Sequence, residues 1–305
     1  MSIETDLLID RRRLKRRLFF WRAAAILAVL VMAVILIGPR LPHDHVARLS
    51  VTGEIGDTTR LVKAVDAMGR DGSAKALIVA ISSPGGGVYG SVALHDAIAR
   101  VAAKKPVVAV MGSVAASGGF MIAMPARRIF AGPSTLTGSI GVIAQLPEFS
   151  GLLEKVGITA ETITTGPLKD QPNPAHKLSD AGRTYLHALI GDMFDQFVAI
   201  VAAGRHMDEA KVRALADGRA FTGRQAVALG LVDQLGGEIE ARSWLAAHAA
   251  IAESLPVRDL RTTIRTEDLF GATLAPFLAL ALKTVRYQGV DLDGPKALWQ
   301  PSLSQ

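Results

Sequence analysis

The chain has 305 residues, contains no cysteine, and carries 34 Lys and Arg against 28 Asp and Glu, a formal net charge of +6. The lack of cysteine excludes disulfides, thiol catalysis and Cys-type zinc sites. The excess positive charge lies in the first 40 residues, where eight basic residues face three acidic ones. The remainder is near neutral, so the basic pI indicates membrane topology, and we predict no nucleic-acid partner.

The amino-terminal region has the pattern of a membrane anchor. Residues 18–38 form a mostly apolar run interrupted only by Arg22, and as a helix this run would be about 30 Å long, enough to cross a bilayer core. The basic cluster at residues 11–17 should stay cytoplasmic. We therefore predict a cytoplasmic arm over 1–17, an uncleaved single-pass anchor over 18–40, and an extracytoplasmic remainder. A cleaved signal peptide is the alternative, although residues 35–42 offer no good small-x-small cleavage site.

Beyond the anchor, strand-like apolar runs alternate with helix-like amphipathic segments, which argues for an α/β fold with a parallel sheet. We predict this domain over residues 41–250 and a carboxy-terminal extension of unclear role over 251–305. Ser179 is expected to cap the first long helix. The predicted strands are residues 46–51, 76–81, 106–111, 128–131 and 159–164, and the predicted helices are 58–68, 89–103, 117–124, 179–203, 208–216, 223–229 and 238–249.

Two glycine-rich turns follow predicted strands. Ser117 opens the glycine pair in Ala-Ala-Ser-Gly-Gly-Phe, and Ser-Pro-Gly-Gly-Gly follows the run 76–81. Such turns expose a hydroxyl beside free backbone N–H groups, which is what an oxyanion requires. We predict Ser117 as a nucleophile and the N–H groups of Gly118 and Gly86 as oxyanion donors, with Gly86 preferred over Gly85. The alternative is that these glycines only terminate strands.

A lysine, Lys169, follows Ser117 by 52 positions in Gly-Pro-Leu-Lys-Asp. A serine hydroxyl needs a base to become a nucleophile, and serine–lysine pairs are a known arrangement. An amine can be that base only where desolvation disfavours its charge, so Asp170 must point away from it. Ser139, in Leu-Thr-Gly-Ser, could orient the neutral amine. No histidine lies between Ser117 and Lys169, and the chain shows no phosphate-binding loop, so we predict neither a histidine triad nor a cofactor or metal.

These four glycine-containing segments, in this order, resemble the signal peptide peptidase A family in its short, single-unit form, over residues 46–237. The resemblance implies a crotonase/caseinolytic-protease-like fold, with Ser117 as nucleophile, Lys169 as general base and Ser139 as the residue that holds the lysine amine. It also implies a homo-oligomeric ring with serine and lysine drawn from neighbouring protomers. The implied activity is cleavage of residual signal peptides at the bacterial inner membrane.

Three other functions remain open from the sequence. A related membrane peptidase could process one specific membrane protein. A crotonase-type acyl-CoA enzyme would use the paired N–H donors but would not need Ser117 or Lys169. A non-catalytic scaffold is disfavoured because all three polar catalytic positions are present. Activity that survives Ser117→Ala and Lys169→Ala would exclude the serine–lysine mechanism.

Overall fold

The structure, a computed structural model, describes residues 17, 19–28 and 43–260. The chain divides into two compact units, Met1–Asp44 and His45–Gln305. The described part of the first unit is essentially one apolar helix, α1 (Phe19–Ala28), which exposes two phenylalanines and a tryptophan. Most of the predicted cytoplasmic arm and anchor, and residues 261–305 of the predicted extension, lie outside the described residues.

The second unit is built on one sheet, and its topology confirms the predicted parallel α/β class. Its strands run in the order β6-β5-β3-β2-β1-β8, and β4 pairs with both β3 and β7. Every pairing is parallel except the antiparallel β5–β6 pair. The strands are β1 (His45–Thr52), β2 (Ala74–Ser83), β3 (Val107–Ala116), β4 (Arg128–Ala131), β5 (Leu136–Gly138), β6 (Ala220–Thr222), β7 (Gln234–Leu235) and β8 (Val257–Asp259).

Eight helices of the described residues flank this sheet; seven of them were predicted, α4 is shorter than the predicted 117–124, and α5 was missed. Ser179 caps α6 as predicted, its hydroxyl accepting from the N–H of Gly182 at 3.0 Å. By length and composition α6 could cross a membrane, but core helices of soluble domains also meet that criterion, and its carboxy-terminal half is packed in the main core. The helices are α2 (Thr59–Arg70), α3 (Val88–Ala102), α4 (Gly118–Met121), α5 (Ser150–Lys155), α6 (Asp180–Arg205), α7 (Glu209–Leu215), α8 (Gly223–Leu229) and α9 (Glu238–Ala249).

The core lies on both faces of the central strands, which explains their nearly continuous apolar sequences. Alternate residues of β1 divide between two clusters: Ala47 and Leu49 pack in the main cluster, whereas Val46 faces a smaller one. The main cluster includes residues of α2, α3 and α6, and the smaller one includes Ala241 and Leu245 of α9. A sheet covered on both faces holds its strand ends in fixed positions, which is the basis for a precise site at those ends.

The structure also corrects one prediction. Residues 159–164 were expected to form a strand, but they have no regular structure and are all exposed. They are rich in threonine, which favours strands, yet they pair with none of the described strands. Four short strands, β5 to β8, were not predicted because two or three residues carry too little periodicity to detect. The last of these, β8, pairs with β1 and extends the sheet past the boundary predicted at residue 250.

Candidate active site

Ser117 stands at a sharp turn between β3, which ends at Ala116, and α4, which begins at Gly118. Its backbone has φ 53° and ψ −122°, a region that non-glycine residues rarely occupy and that costs about 1–3 kcal/mol. Its carbonyl accepts hydrogen bonds from the N–H groups of Phe120 (2.9 Å) and Met121 (3.0 Å). This strained elbow leaves the residue partly accessible at the sheet edge.

The glycine turn after β2 packs directly against this elbow. A Cβ placed on Gly85 would lie 2.8 Å from both Ser117 Cβ and Gly118 N, and Gly85 has φ +105°. A Cβ on Gly86 would lie 2.3 Å from the carbonyl oxygen of Ile55. Both positions therefore require glycine for steric reasons and for their backbone conformation, since Gly86 also has a positive φ, +152°.

Hydrogen bonding in this turn leaves two N–H groups available. The N–H of Gly85 donates to Ser83 Oγ at 3.1 Å. The neighbouring Ile55–Gly86 bridge uses the N–H groups of Ile55 and Gly87. Within residues 43–260, the N–H groups of Gly86 and Gly118 donate to no acceptor. Both glycines and Ser117 line one small cavity of about 20 Å³, and two free donors beside a hydroxyl are the chemical elements of an oxyanion site.

Ser139 lies beside Ser117 because of the strand register. Ala116, the last residue of β3, pairs with Gly138, the last residue of β5, so each serine directly follows one member of this pair. The N–H of Ser117 donates to the carbonyl of Gly138 at 2.8 Å. Ser139 also has positive φ, 48°. Its hydroxyl donates to the carbonyl of Gly218 at 3.1 Å, so within this chain the hydroxyl already has an acceptor.

Lys169 lies elsewhere, in an exposed turn where its N–H donates to the carbonyl of Gly166 at 3.1 Å. It does not line the cavity that contains Ser117. The carboxylate of Asp170 accepts two hydrogen bonds from Asn173 Nδ2, at 2.8 and 2.7 Å, and no ion pair joins it to Lys169 in the described region. A single chain thus brings together Ser117, Gly118, Gly86 and Ser139, but not Lys169.

A groove of about 380 Å³ adjoins this cavity, sharing Gly141 and Val142 with it. Its walls include the apolar side chains of Ile190 and Phe194 on α6. Asp217 also lines it, and a hydrogen bond from the Arg219 side chain lowers the pKa of this carboxyl. In residues 17, 19–28 and 43–260, no group of three or more His, Asp or Glu side chains is placed to hold a metal.

Two buried serines that the sequence analysis did not identify support the glycine turn. Ser83 accepts the Gly85 N–H, and the Ser91 hydroxyl donates to the carbonyl of Gly87 at 3.0 Å. Ser91 also fills the space beside Gly118, where an added Cβ would lie 2.2 Å from its hydroxyl oxygen. Their only signal in the sequence is a small hydroxyl residue on each side of the Gly-Gly-Gly run.

Comparison with known proteins agrees with this architecture. Residues 99–252 match the family model described as Peptidase family S49, and residues 46–135 match the model described as Clp protease. The two matches together span the strands and turns that carry Ser117 and the glycine-rich segment.

Three relatives illustrate the range of similarity. A candidate protease of Synechocystis sp. is 44% identical over 211 residues, covering 68% of this chain and 76% of the relative. A candidate signal peptide peptidase SppA of Enterococcus faecium is 38% identical over 210 residues, with 64% and 60% covered. Protease 4 of Salmonella typhi is 36% identical over 185 residues, with 60% and 30% covered. The match therefore spans less than two thirds of the second and third relatives.

Proposed function

This chain belongs to peptidase family S49, the signal peptide peptidase A family, and we propose that it is a membrane-anchored serine endopeptidase with a Ser117–Lys169 dyad. One observation carries the proposal: Ser117 occupies a strained turn beside the free N–H groups of Gly118 and Gly86. A core turn has no need of backbone strain together with two unpaired donors, whereas a nucleophile at an oxyanion site does.

The proposed chemistry proceeds in two halves. Ser117 Oγ attacks the peptide carbonyl carbon while Lys169 Nζ takes its proton, and the resulting oxyanion accepts hydrogen bonds from Gly86 and Gly118. The protonated amine then gives that proton to the leaving nitrogen, which breaks the peptide bond. Water, deprotonated by the same amine, attacks the acyl carbon; the amine then gives this proton to Ser117 Oγ as the ester bond breaks, which releases the acyl group. Ser139 orients the amine by accepting one of its N–H bonds through the hydroxyl oxygen, while the hydroxyl hydrogen stays on the Gly218 carbonyl.

The exposed position of Lys169 supports a ring in which a neighbouring protomer supplies the base. The segment around it, residues 143–168, presents many apolar side chains to solvent, with Ile163 93% and Ile143 83% exposed. A high density of exposed apolar side chains in one segment is typical of an interaction site. The others in the segment are Leu146, Phe149, Leu152, Val156, Ile158 and Leu168.

We also propose that residues 18–38 anchor the enzyme in the bacterial inner membrane, with the α/β unit on the extracytoplasmic side. The support is the 21-residue length of the apolar run and the basic cluster before it. An enzyme tethered there meets apolar peptides that leave the bilayer, and residual signal peptides belong to that class.

The decisive experiment measures peptide hydrolysis by the full chain in detergent micelles. Wild type, Ser117→Ala, Lys169→Ala and an equimolar, subunit-exchanged mixture of both variants are compared, with Lys177→Ala as a matched exposed lysine in the same region. We expect loss of activity in both dyad variants, partial recovery in the mixture, and no loss in Lys177→Ala. Full activity in either dyad variant would exclude the mechanism. No recovery after verified exchange would exclude the shared site while leaving the dyad intact.

A further inference from the structure

The parallel strands β1 to β4 all begin at one edge of the sheet and end at the other. Ser117 follows the end of β3, and the glycine turn containing Gly86 follows the end of β2. Because β2 and β3 have ten residues each, at about 3.3 Å per residue the two edges lie about 30 Å apart. The edge where the strands begin is therefore remote from the proposed active site.

Basic side chains collect at this remote edge. Arg70 ends α2, Lys104 lies between α3 and β3, and Arg127 precedes β4. All three are exposed, and none forms an ion pair with an acidic side chain of the described region. A fourth cation, Lys105, donates to the carbonyls of Met68, Asp71 and Ala74, and its partial burial lowers its pKa. Lys105 thus joins the end of α2 to the start of β2, while the other three cations can bind a ligand.

A cavity of about 220 Å³ opens between α2 and α3 at the same edge. Arg70, Arg100 and Lys104 line it, with Asp66 as the acidic residue of the lining. Arg100 is held against the Asp66 carboxylate by contacts of 3.0–3.1 Å, so Arg70 and Lys104 are the two cations of this lining without an ion-pair partner among the described residues. A guanidinium and an ammonium beside a small cavity fit a phosphate group.

An apolar groove of about 580 Å³ lies on the other side of α3. Arg127 and His206 line it together with Met124, Pro125, Ala126 and Ile200. The guanidinium of Arg127 beside an apolar groove matches an amphiphile, and an inorganic anion would gain nothing from the apolar part.

The chain also enters the domain at this edge, because β1 starts there at His45. Six residues, 39–44, separate β1 from the apolar run that ends at residue 38, and an extended chain of that length reaches only about 20 Å. We propose that this edge, through Arg70, Lys104 and Arg127, binds the phosphate headgroups of anionic phospholipids and holds the active site about 30 Å from the bilayer. The inference rests on the membrane anchor in the proposed function.

The test uses the full chain in lipid nanodiscs, which either contain only phosphatidylcholine or include about a third phosphatidylglycerol. The absence of native cysteine allows a single fluorophore at Gly72→Cys, in the open turn before β2, or at Gly56→Cys beyond the end of β1 as the control. Quenching by a headgroup-attached nitroxide lipid reports the distance to the bilayer. The triple variant Arg70→Glu, Lys104→Glu, Arg127→Glu is matched by Lys177→Glu, Lys211→Glu, Arg224→Glu, which changes the same charge on exposed residues elsewhere.

We expect phosphatidylglycerol to increase quenching at Gly72→Cys at least twofold and to leave Gly56→Cys unchanged. The first triple variant should abolish this increase without reducing peptide hydrolysis, whereas the matched triple variant should retain it. Equal quenching in both lipids, or an increase that survives reversal of the three cations, would overturn the inference alone. A chain that does not co-elute with nanodiscs would contradict the anchor, and the inference with it, while leaving the dyad untouched.

Discussion

Two regions of the α/β unit differ in how they are held. Residues 45–140, the closed region, contain β1 to β3, which are buried on both faces, and the glycine turn, which packs on Ser117 with no space for a methyl group. Residues 143–178, the open region, have one short helix, α5, and expose most of their apolar side chains. The first region holds Ser117 beside Gly86 and Gly118 by close packing. The second holds Lys169 in an exposed turn that does not reach this cavity.

The largest expected effect comes from adding one methyl group to the closed region. Gly85→Ala would place a Cβ 2.8 Å from Ser117 Cβ and Gly118 N at a φ that alanine rarely adopts, displacing the oxyanion donors. We expect peptide hydrolysis to fall by about 10²–10³-fold, the usual cost of one lost donor. Gly151→Ala, in the open region with nothing within 4 Å, should retain wild-type turnover. Similar activity in the two variants would contradict the distinction between the regions.

The next largest effect is expected on the free energy of unfolding, when the ion pair of Arg205 and Asp233 is broken. The side chains are 8% and 19% exposed, and they join at 2.7 Å between the end of α6 and the start of β7. Burial alone would raise the pKa of Asp233, but the hydrogen bond and charge of Arg205 outweigh it and lower that pKa. Asp233→Asn should reduce the free energy of unfolding by about 3 kcal/mol, measured by urea denaturation at pH 7.

The pH dependence of that pair has a definite sign. A carboxyl whose pKa is lower in the folded state contributes stability above its unfolded pKa of about 3.9, and this contribution is lost as pH falls further. The difference between wild type and Asp233→Asn should therefore shrink below about pH 4. Asp195→Asn, in an exposed pair with Arg213, should change stability by less than about 1 kcal/mol at any pH. A constant difference at low pH would show that the Asp233 charge is not the cause.

The smallest effect on folding is expected in the open region. Ile163 is 93% exposed, so Ile163→Asp should change the free energy of unfolding by less than about 0.5 kcal/mol. If this surface joins protomers, the same substitution should lower the mass measured by light scattering and reduce hydrolysis in parallel. An unchanged mass would contradict the proposed use of residues 143–168 as a contact surface.

The same contrast explains what the sequence could predict. The long strands and helices were predicted because their buried faces impose periodicity, and β4, α8 and α9 agree to the residue. The elbow at Ser117 was predicted because its glycines are required sterically. The strand predicted at 159–164 was wrong because this segment is exposed and pairs with none of the described strands, so neither burial nor pairing holds it in an extended form. The supporting roles of Ser83 and Ser91 arise from packing between distant segments, which no local pattern records.

Because β5 pairs with β6, the position of Ser139 depends on residues that are synthesised much later in the chain. Ser139 is fixed by the carbonyls and N–H groups of residues 218–222: its N–H donates to Arg219, its hydroxyl donates to Gly218, 79 positions later, and Gly138 pairs with Ala220. Ser117 and the glycine turn emerge from the ribosome well before residues 218–222. In the partly made chain Ser117 therefore lies next to a strand whose partner is still missing. On the proposed mechanism, in which Ser139 orients the base, hydrolysis would start only after residue 222 has emerged, and the nascent chain would be inactive until then.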